Sequence, residues 1–233
     1  MFFIKKKEKI KVELYSPIGQ LIDMFPPVLM QNDLPSWYNN IPNNNIKTVK
    51  HCPGLRDLYE NGISVPLWTD YLIDMGEDTV NNVDWPKRNP NSGIGTHDLS
   101  IQAPKAWPGY YNIKFESPWH VWCNEPIPFI FVQPVWNQDD PQNFTNVPGV
   151  IEFRNQHQLH INTLWKPSGV PQEVMLKAGT TLSHLVPLSD RPVEISFHIL
   201  TETIYKEKFS VWDYTLGRAS YLKYKSIISK KKN

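Results

Sequence analysis

Twenty-one prolines punctuate this chain of 233 residues, recurring from Pro17 to Pro192 and then stopping. Proline lacks the backbone N–H that a sheet ladder or a helix interior needs, so each one ends a strand, sits at an edge or sets a turn. Between the prolines lie short runs rich in Val, Ile, Phe, Tyr, Trp and Thr: 9–15, 63–73, 111–123, 129–133, 149–154, 157–165, 173–176, 181–187 and 194–203. Several alternate with period two, as strands buried on one face do. Leu159, Ile161, Thr163 and Trp165 oppose His160, Asn162 and Leu164, and Val193, Ile195, Phe197 and Ile199 oppose Glu194, Ser196, His198 and Leu200. Short strands at turn-rich spacing predict a mainly β chain, an antiparallel β-sandwich of jelly-roll or double-stranded β-helix type.

Alanine supports that choice. Only Ala103, Ala106, Ala178 and Ala219 occur, and alanine is the best helix former. An AT-rich genome also depletes alanine, so the proline pattern carries more of the argument. The length suits one domain, 1–233, divided into an N-terminal strand and extended arm (1–50), a β-sandwich core (51–204), a C-terminal helix (205–229) and a basic tail (230–233). Three stretches read as irregular: 19–47 as a wrapping arm, 76–95 as a surface loop and 136–147 as a long connection. Beyond Pro192, Phe209, Trp212, Leu216, Ala219, Leu222 and Ile227 recur at helical spacing, an amphipathic helix expected to close a face or end of its own sandwich.

The formal net charge of +1 gives no global attraction to nucleic acid or to a membrane. Lysines gather at both ends, at Lys5, Lys6, Lys7, Lys9 and Lys11 and at Lys223, Lys225, Lys230, Lys231 and Lys232, and read as solvated termini. The first residues reverse the charge order of a signal peptide, and no apolar run is long enough to span a bilayer, so no membrane partner is expected. Cys52 and Cys123 show neither a disulfide framework nor metal spacing and are expected to be reduced thiols.

The chain carries seven histidines, which raises the question of a metal. Double-stranded β-helix oxygenases and cupins hold iron with His-x-Asp/Glu or His-x-His and a distant His. Here His97 and Asp98 are adjacent, and His157 and His160 are three apart, so each pair points to opposite faces of a regular strand. No metal ligand and no cofactor are therefore assigned, and an iron-dependent oxygenase drawing on His97, Asp98, His157, His160 and His198 is kept as an alternative. His120 and Cys123 face apart by the same parity, which argues against a nucleophile pair. Nine tryptophans remain. Trp119 and Trp122 have opposite strand parities and cannot both face inward, which makes them the candidate binding residues for a sugar or small ligand.

The block Cys52-Pro53-Gly54-Leu55-Arg56-Asp57-Leu58-Tyr59-Glu60-Asn61-Gly62 reads as a short helix with a glycine stop, and Ile63 to Asp70 as a strand carrying Pro66 and Trp68. With Leu34-Pro35-Ser36-Trp37-Tyr38, Thr48-Val49-Lys50-His51, Phe115-Glu116-Ser117-Pro118-Trp119, Pro148-Gly149-Val150-Ile151, Ala178-Gly179-Thr180 and Val186-Pro187-Leu188, it resembles a family of proteins encoded mainly by tailed bacteriophages, especially marine ones, with bacterial relatives. That family has no established activity, so the resemblance implies a setting rather than a mechanism. The expectation is a non-enzymatic phage protein acting through protein–protein association, as a virion component or assembly accessory. Its partners would be other phage structural proteins or further copies of itself, in the host cytoplasm during infection and in the virion.

Overall fold

A computed structural model describes residues 7–42, 47–84, 93–97, 107–137, 144–154 and 156–209. Strand β1 (Ile10–Ser16) is followed by helix α1 (Gln20–Met24), strand β2 (Val28–Leu29) and helix α2 (Ser36–Asn39). Helix α3 (Pro53–Glu60) leads into β3 (Ile63–Pro66), β4 (Tyr71–Met75), β5 (Val80–Asp84) and β6 (Gly93–His97). Then come the long β7 (Tyr111–Cys123), β8 (Pro128–Val132), β9 (Phe144–Asn146), β10 (Val150–Glu152) and β11 (Gln158–Trp165). Strands β12 (Gln172–Leu176), β13 (Thr181–Pro187) and β14 (Val193–Ile199) precede helix α4 (Glu202–Ile204).

The fold is mainly β, with antiparallel and mixed sheets. A six-stranded sheet runs β14-β1-β7-β11-β9 with β6 beside β7, and its β1–β14 pair is parallel. A five-stranded sheet runs β10-β8-β13-β3-β2, and a three-stranded one β12-β4-β5. All three feed one apolar core. Ile10, Val12 and Leu14 of β1 and Ile113, Phe115, Trp119 and Val121 of β7 come from the largest sheet, Val65, Phe129 and Leu185 from the second, and Tyr71 and Ile73 from the third. The period-two alternation of β11 is realised directly: Leu159, Ile161, Thr163 and Trp165 are buried while Gln158, His160 and Asn162 are half-buried.

Strand β13 is buried on both faces. Leu182 and Leu185 join the main core, while His184 packs edge-on against Tyr59 of α3, ring centroids 5.6 Å apart. Proline at the first position of α3 costs no hydrogen bond there, and Leu55 and Tyr59, one turn apart, bury the same helix face with Met30.

Several segments depart from the sequence reading. The described part of the 19–47 stretch, residues 19–42, does not run as an extended arm: α1 buries Leu21, β2 pairs with β3, and Met30 caps the α3 cluster. The 63–73 run is two strands in different sheets, and Trp68 lies in the bend between them, 3 % exposed. That break has a cause. Asp70 accepts a hydrogen bond from the Ala178 backbone N–H at 2.8 Å, and Leu67 exchanges backbone bonds with Gly179 and Thr180, so the 67–70 bend is fastened to the 177–180 turn. Two of the sequence blocks behind the family resemblance thus meet in space. The stretches read as loops carry β5, β6 and β9, which pair with β4, β7 and β11. The expected helix over 205–229 lies outside the described residues from position 210 onward. Its described start follows α4, capped by Thr201 Oγ1 accepting from Ile204 N–H at 3.3 Å, and continues as a π-helical turn, Tyr205–Phe209.

Candidate functional site

Strands β7 and β11 pair so that Lys114 lies opposite Asn162 and Glu116 opposite His160. Their inward neighbours Ile113, Phe115 and Ile161 fill the core, so strand parity puts the polar residues together on the other face. There they meet the crossing from β9 to β10, and a cavity of about 320 Å³ forms between them. Lys114, Gln156, Gln158, His160 and Asn162 supply its polar side; Phe131, Val147, Pro148, Val150 and Ile151 supply an apolar wall.

His160 is the chemically informative member. Its Nε2 lies 2.8 Å from Gln158 Oε1. A carbonyl oxygen only accepts, so the ring proton sits on Nε2 and Nδ1 carries a bare lone pair. That Nδ1 is buried and has no hydrogen-bond partner among the described residues. Burial pushes the His160 pKa down to about 4, the Lys114 ammonium adding to the shift and Glu116 opposing it. At neutral pH the imidazole is uncharged. Lys114 is itself paired, its Nζ 2.7 Å from Glu116 Oε1, so the floor of the cavity carries little net charge.

An imidazole titrating near 4 is a weak base and is unprotonated as an acid at pH 7. The described lining residues include no hydroxyl, thiol or carboxylate side chain to act as nucleophile or partner base.

The residues singled out in the sequence are dispersed. Trp119 is fully buried and packs on Phe197, centroids 5.8 Å apart, so its indole presents no face to a ligand. Trp122 is half-buried on the opposite face of β7, stacked on His157 at 5.1 Å and covered by Phe209 at 6.3 Å. The side chain of His97 and all of Asp98 lie outside the described residues. His157 joins the Trp122 cluster, with burial pushing its pKa down to about 4, and His198 stacks on Tyr15 at 4.9 Å. Among the described residues no three His, Cys, Asp or Glu side chains are placed to share a metal ion. Cys123 is buried in the core while His120 faces Phe209 and Tyr205 on the other side of β7, and Cys52 is exposed. The cavity itself went unread in the sequence, although one signal was present: His160 and Asn162 stand on the polar side of an otherwise apolar strand.

Comparison of the chain with protein-family models, with curated proteins and with solved structures returns no match.

Proposed function

We propose that this chain is a non-enzymatic binding protein whose β7–β11 cavity is its ligand site. The observation that carries this reading is the two-sided lining of the cavity: among the described residues, an uncharged imidazole, the amides of Gln156, Gln158 and Asn162 and a Lys114 ammonium paired with Glu116 stand beside an apolar wall. In this reading the two larger sheets are the layers of a sandwich of jelly-roll type. Support comes from the shared core, to which Phe115 and Trp119 contribute from one sheet and Phe129 and Leu185 from the other. The test is backbone-amide NMR of the full chain with a mixed set of neutral, anionic and cationic small molecules. The expected result is a saturable perturbation confined to β11 and residues 147–151, with every added compound recovered unchanged. Chemical conversion of a compound, or no perturbation by any of them, overturns the reading.

A second reading, association with phage structural proteins or with further copies of itself, is favoured by a separate surface feature. Val135 and Trp136 are 62 % and 40 % exposed, and Trp136 is held in place by Trp37, whose indole N–H donates to the Trp136 carbonyl at 3.0 Å. A positioned, exposed indole beside an apolar neighbour is the kind of anchor that protein interfaces use. Light scattering of the purified chain tests it, with self-association expected to fall in Trp136→Ala. A monomer at every concentration, missing also from purified virions, overturns it.

A further inference from the structure

The geometry points to the class of ligand that the cavity takes: a single neutral, polyhydroxylated ring, that is, one sugar unit. This inference rests on the reading of the cavity as a binding site and goes beyond it.

Charge is the first discriminator. Among the described residues the one charged side chain lining the cavity is Lys114, and Glu116 already pairs with it at 2.7 Å. An anion would have to draw Lys114 from its partner. A cation would meet Lys114 with no free carboxylate in the described lining. Either ion would give up its hydration for an environment without a net countercharge, and desolvated charge is costly unless paired. A neutral ligand avoids that cost.

Hydrogen-bond inventory is the second. His160 gives its Nε2–H to Gln158 and its Nδ1 is shielded from solvent, so the side-chain amides set the pattern that a ligand meets. Gln158 Oε1 accepts from His160 Nε2–H, and the Gln158 amide N–H groups remain as donors. Asn162 offers both a donor and an acceptor. A ligand that both donates and accepts at adjacent positions matches that pattern. Hydroxyl groups do both, and neighbouring hydroxyls on a ring match donors and acceptors set along one strand.

Shape is the third. Facing those groups are Phe131, Val150 and Ile151, an apolar wall suited to the C–H face of a ring. The volume of about 320 Å³ falls at the small end of ligand cavities, which run from about 300 to 1,000 Å³. It fits one ring rather than a long chain.

The experiment titrates the isotope-labelled full chain with methyl glycosides of glucose, galactose, mannose and N-acetylglucosamine. Glucuronate and glucosamine serve as anionic and cationic counterparts, and propionamide as a neutral ligand without hydroxyls. The expected result is a saturable shift of the β11 and 147–151 amides by at least one neutral glycoside, with the charged counterparts at least about tenfold weaker. Asn162→Leu and His160→Phe should each weaken that binding by about tenfold or more while the amide spectrum stays dispersed. If His160→Phe fails to fold, Asn162→Leu decides. Tighter binding of a charged counterpart, or unchanged affinity in a folded Asn162→Leu, overturns the inference. Shifts from propionamide alone overturn the sugar assignment and leave the binding reading standing, whereas no shift from any probe overturns both.

Discussion

Lys208 reaches back across the chain to Glu13, its Nζ 2.7 Å from Glu13 Oε2 and 2.6 Å from the Tyr15 hydroxyl. Glu13 and Tyr15 occupy alternate positions of β1, opposite Trp122 and His120 of β7, on the face turned away from the core. The ammonium also lies over the rings of Tyr15 and Trp122, 4.9 and 5.5 Å from their centroids. Phe209, 1 % exposed, fills the space among Tyr15, His120, Trp122 and His157. The segment after β14 is therefore bound to the sheet by charge, cation–π contact and burial together.

Phe209→Ala should cost about 3–5 kcal/mol, because it empties a fully enclosed aromatic site. Lys208→Met keeps the stem and removes the charge, so its cost should be clearly smaller. Urea denaturation followed by fluorescence checks both. Equal effects would contradict this, showing that the Lys208 charge holds the segment as strongly as the buried ring does.

Stability should fall as the pH is lowered from about 6.5 toward 4. His157, His160 and His184 are each pushed by burial from 6.5 down to about 4. Between those values the unfolded chain binds protons that the folded chain refuses, so acid favours unfolding, with each fully titrating histidine contributing about 1.4 kcal/mol per pH unit. Glu13 acts in the same direction: burial raises its pKa, but the hydrogen bonds from Lys208 and Tyr15 outweigh that and hold it below its usual value. Its stabilisation is present above the ordinary carboxylate range and is lost as the pH drops through the lowered value. Denaturation midpoints at pH 7 and pH 5 test this, and a flat profile between them contradicts it.

Much of this architecture was legible wherever alternation was unbroken. In β11 the alternation of Leu159, Ile161, Thr163 and Trp165, and in β14 that of Val193, Ile195 and Phe197 against exposed Glu194, Ser196 and His198, named both the strand and its inward face, since packing on one side requires period two. Strands β5, β6 and β9 were missed because Asn, Asp and Gly have low β propensity, and pairing with β4, β7 and β11 decides those segments instead. The 63–73 run was over-extended because the Asp70–Ala178 bond that ends it joins positions 108 apart. The cavity was half visible for the same reason. His160 and Asn162 share a strand face, but Phe131 and residues 147–151 reach them only through the pairing of a second sheet.

Gly62→Ala should destabilise by about 1–3 kcal/mol, the usual range for overpacking a core. A Cβ at Gly62 would overlap the Met30 sulfur and lie 3.1 Å from Met30 Cγ. Met30 is fully buried, and its N–H donates to the Gly62 carbonyl at 2.9 Å, so the two backbones cannot separate freely. The double variant Gly62→Ala with Met30→Ala should cost less than the sum of the two single changes, measured by urea denaturation. Strict additivity would show that the clash is relieved elsewhere.

Asn137 ties three separate parts of the chain together, and its removal should be felt at the helix α3 interface. Its Nδ2 donates to the Asp33 carbonyl at 2.6 Å and to Asp33 Oδ2 at 3.2 Å, while its Oδ1 accepts from the Tyr59 hydroxyl at 2.5 Å. Thr181 Oγ1 completes the network by donating to Asp33 Oδ2 at 2.8 Å. Burial, with the nearby Asp33 charge, pushes the Tyr59 pKa up, so the phenol stays protonated and remains a donor. Asn137→Ala deprives that hydroxyl of its acceptor, and the predicted loss is about 1–3 kcal/mol. Tyr59→Phe removes the donor instead, so once it is in place Asn137→Ala has less left to break. The coupling between the two changes should be at least about 0.5 kcal/mol, the lower end for residues sharing one network. A cycle closing to zero would show that the Tyr59 hydroxyl contributes nothing through Asn137, and that the α3 interface is held by Leu55, Tyr59 and Met30 packing alone.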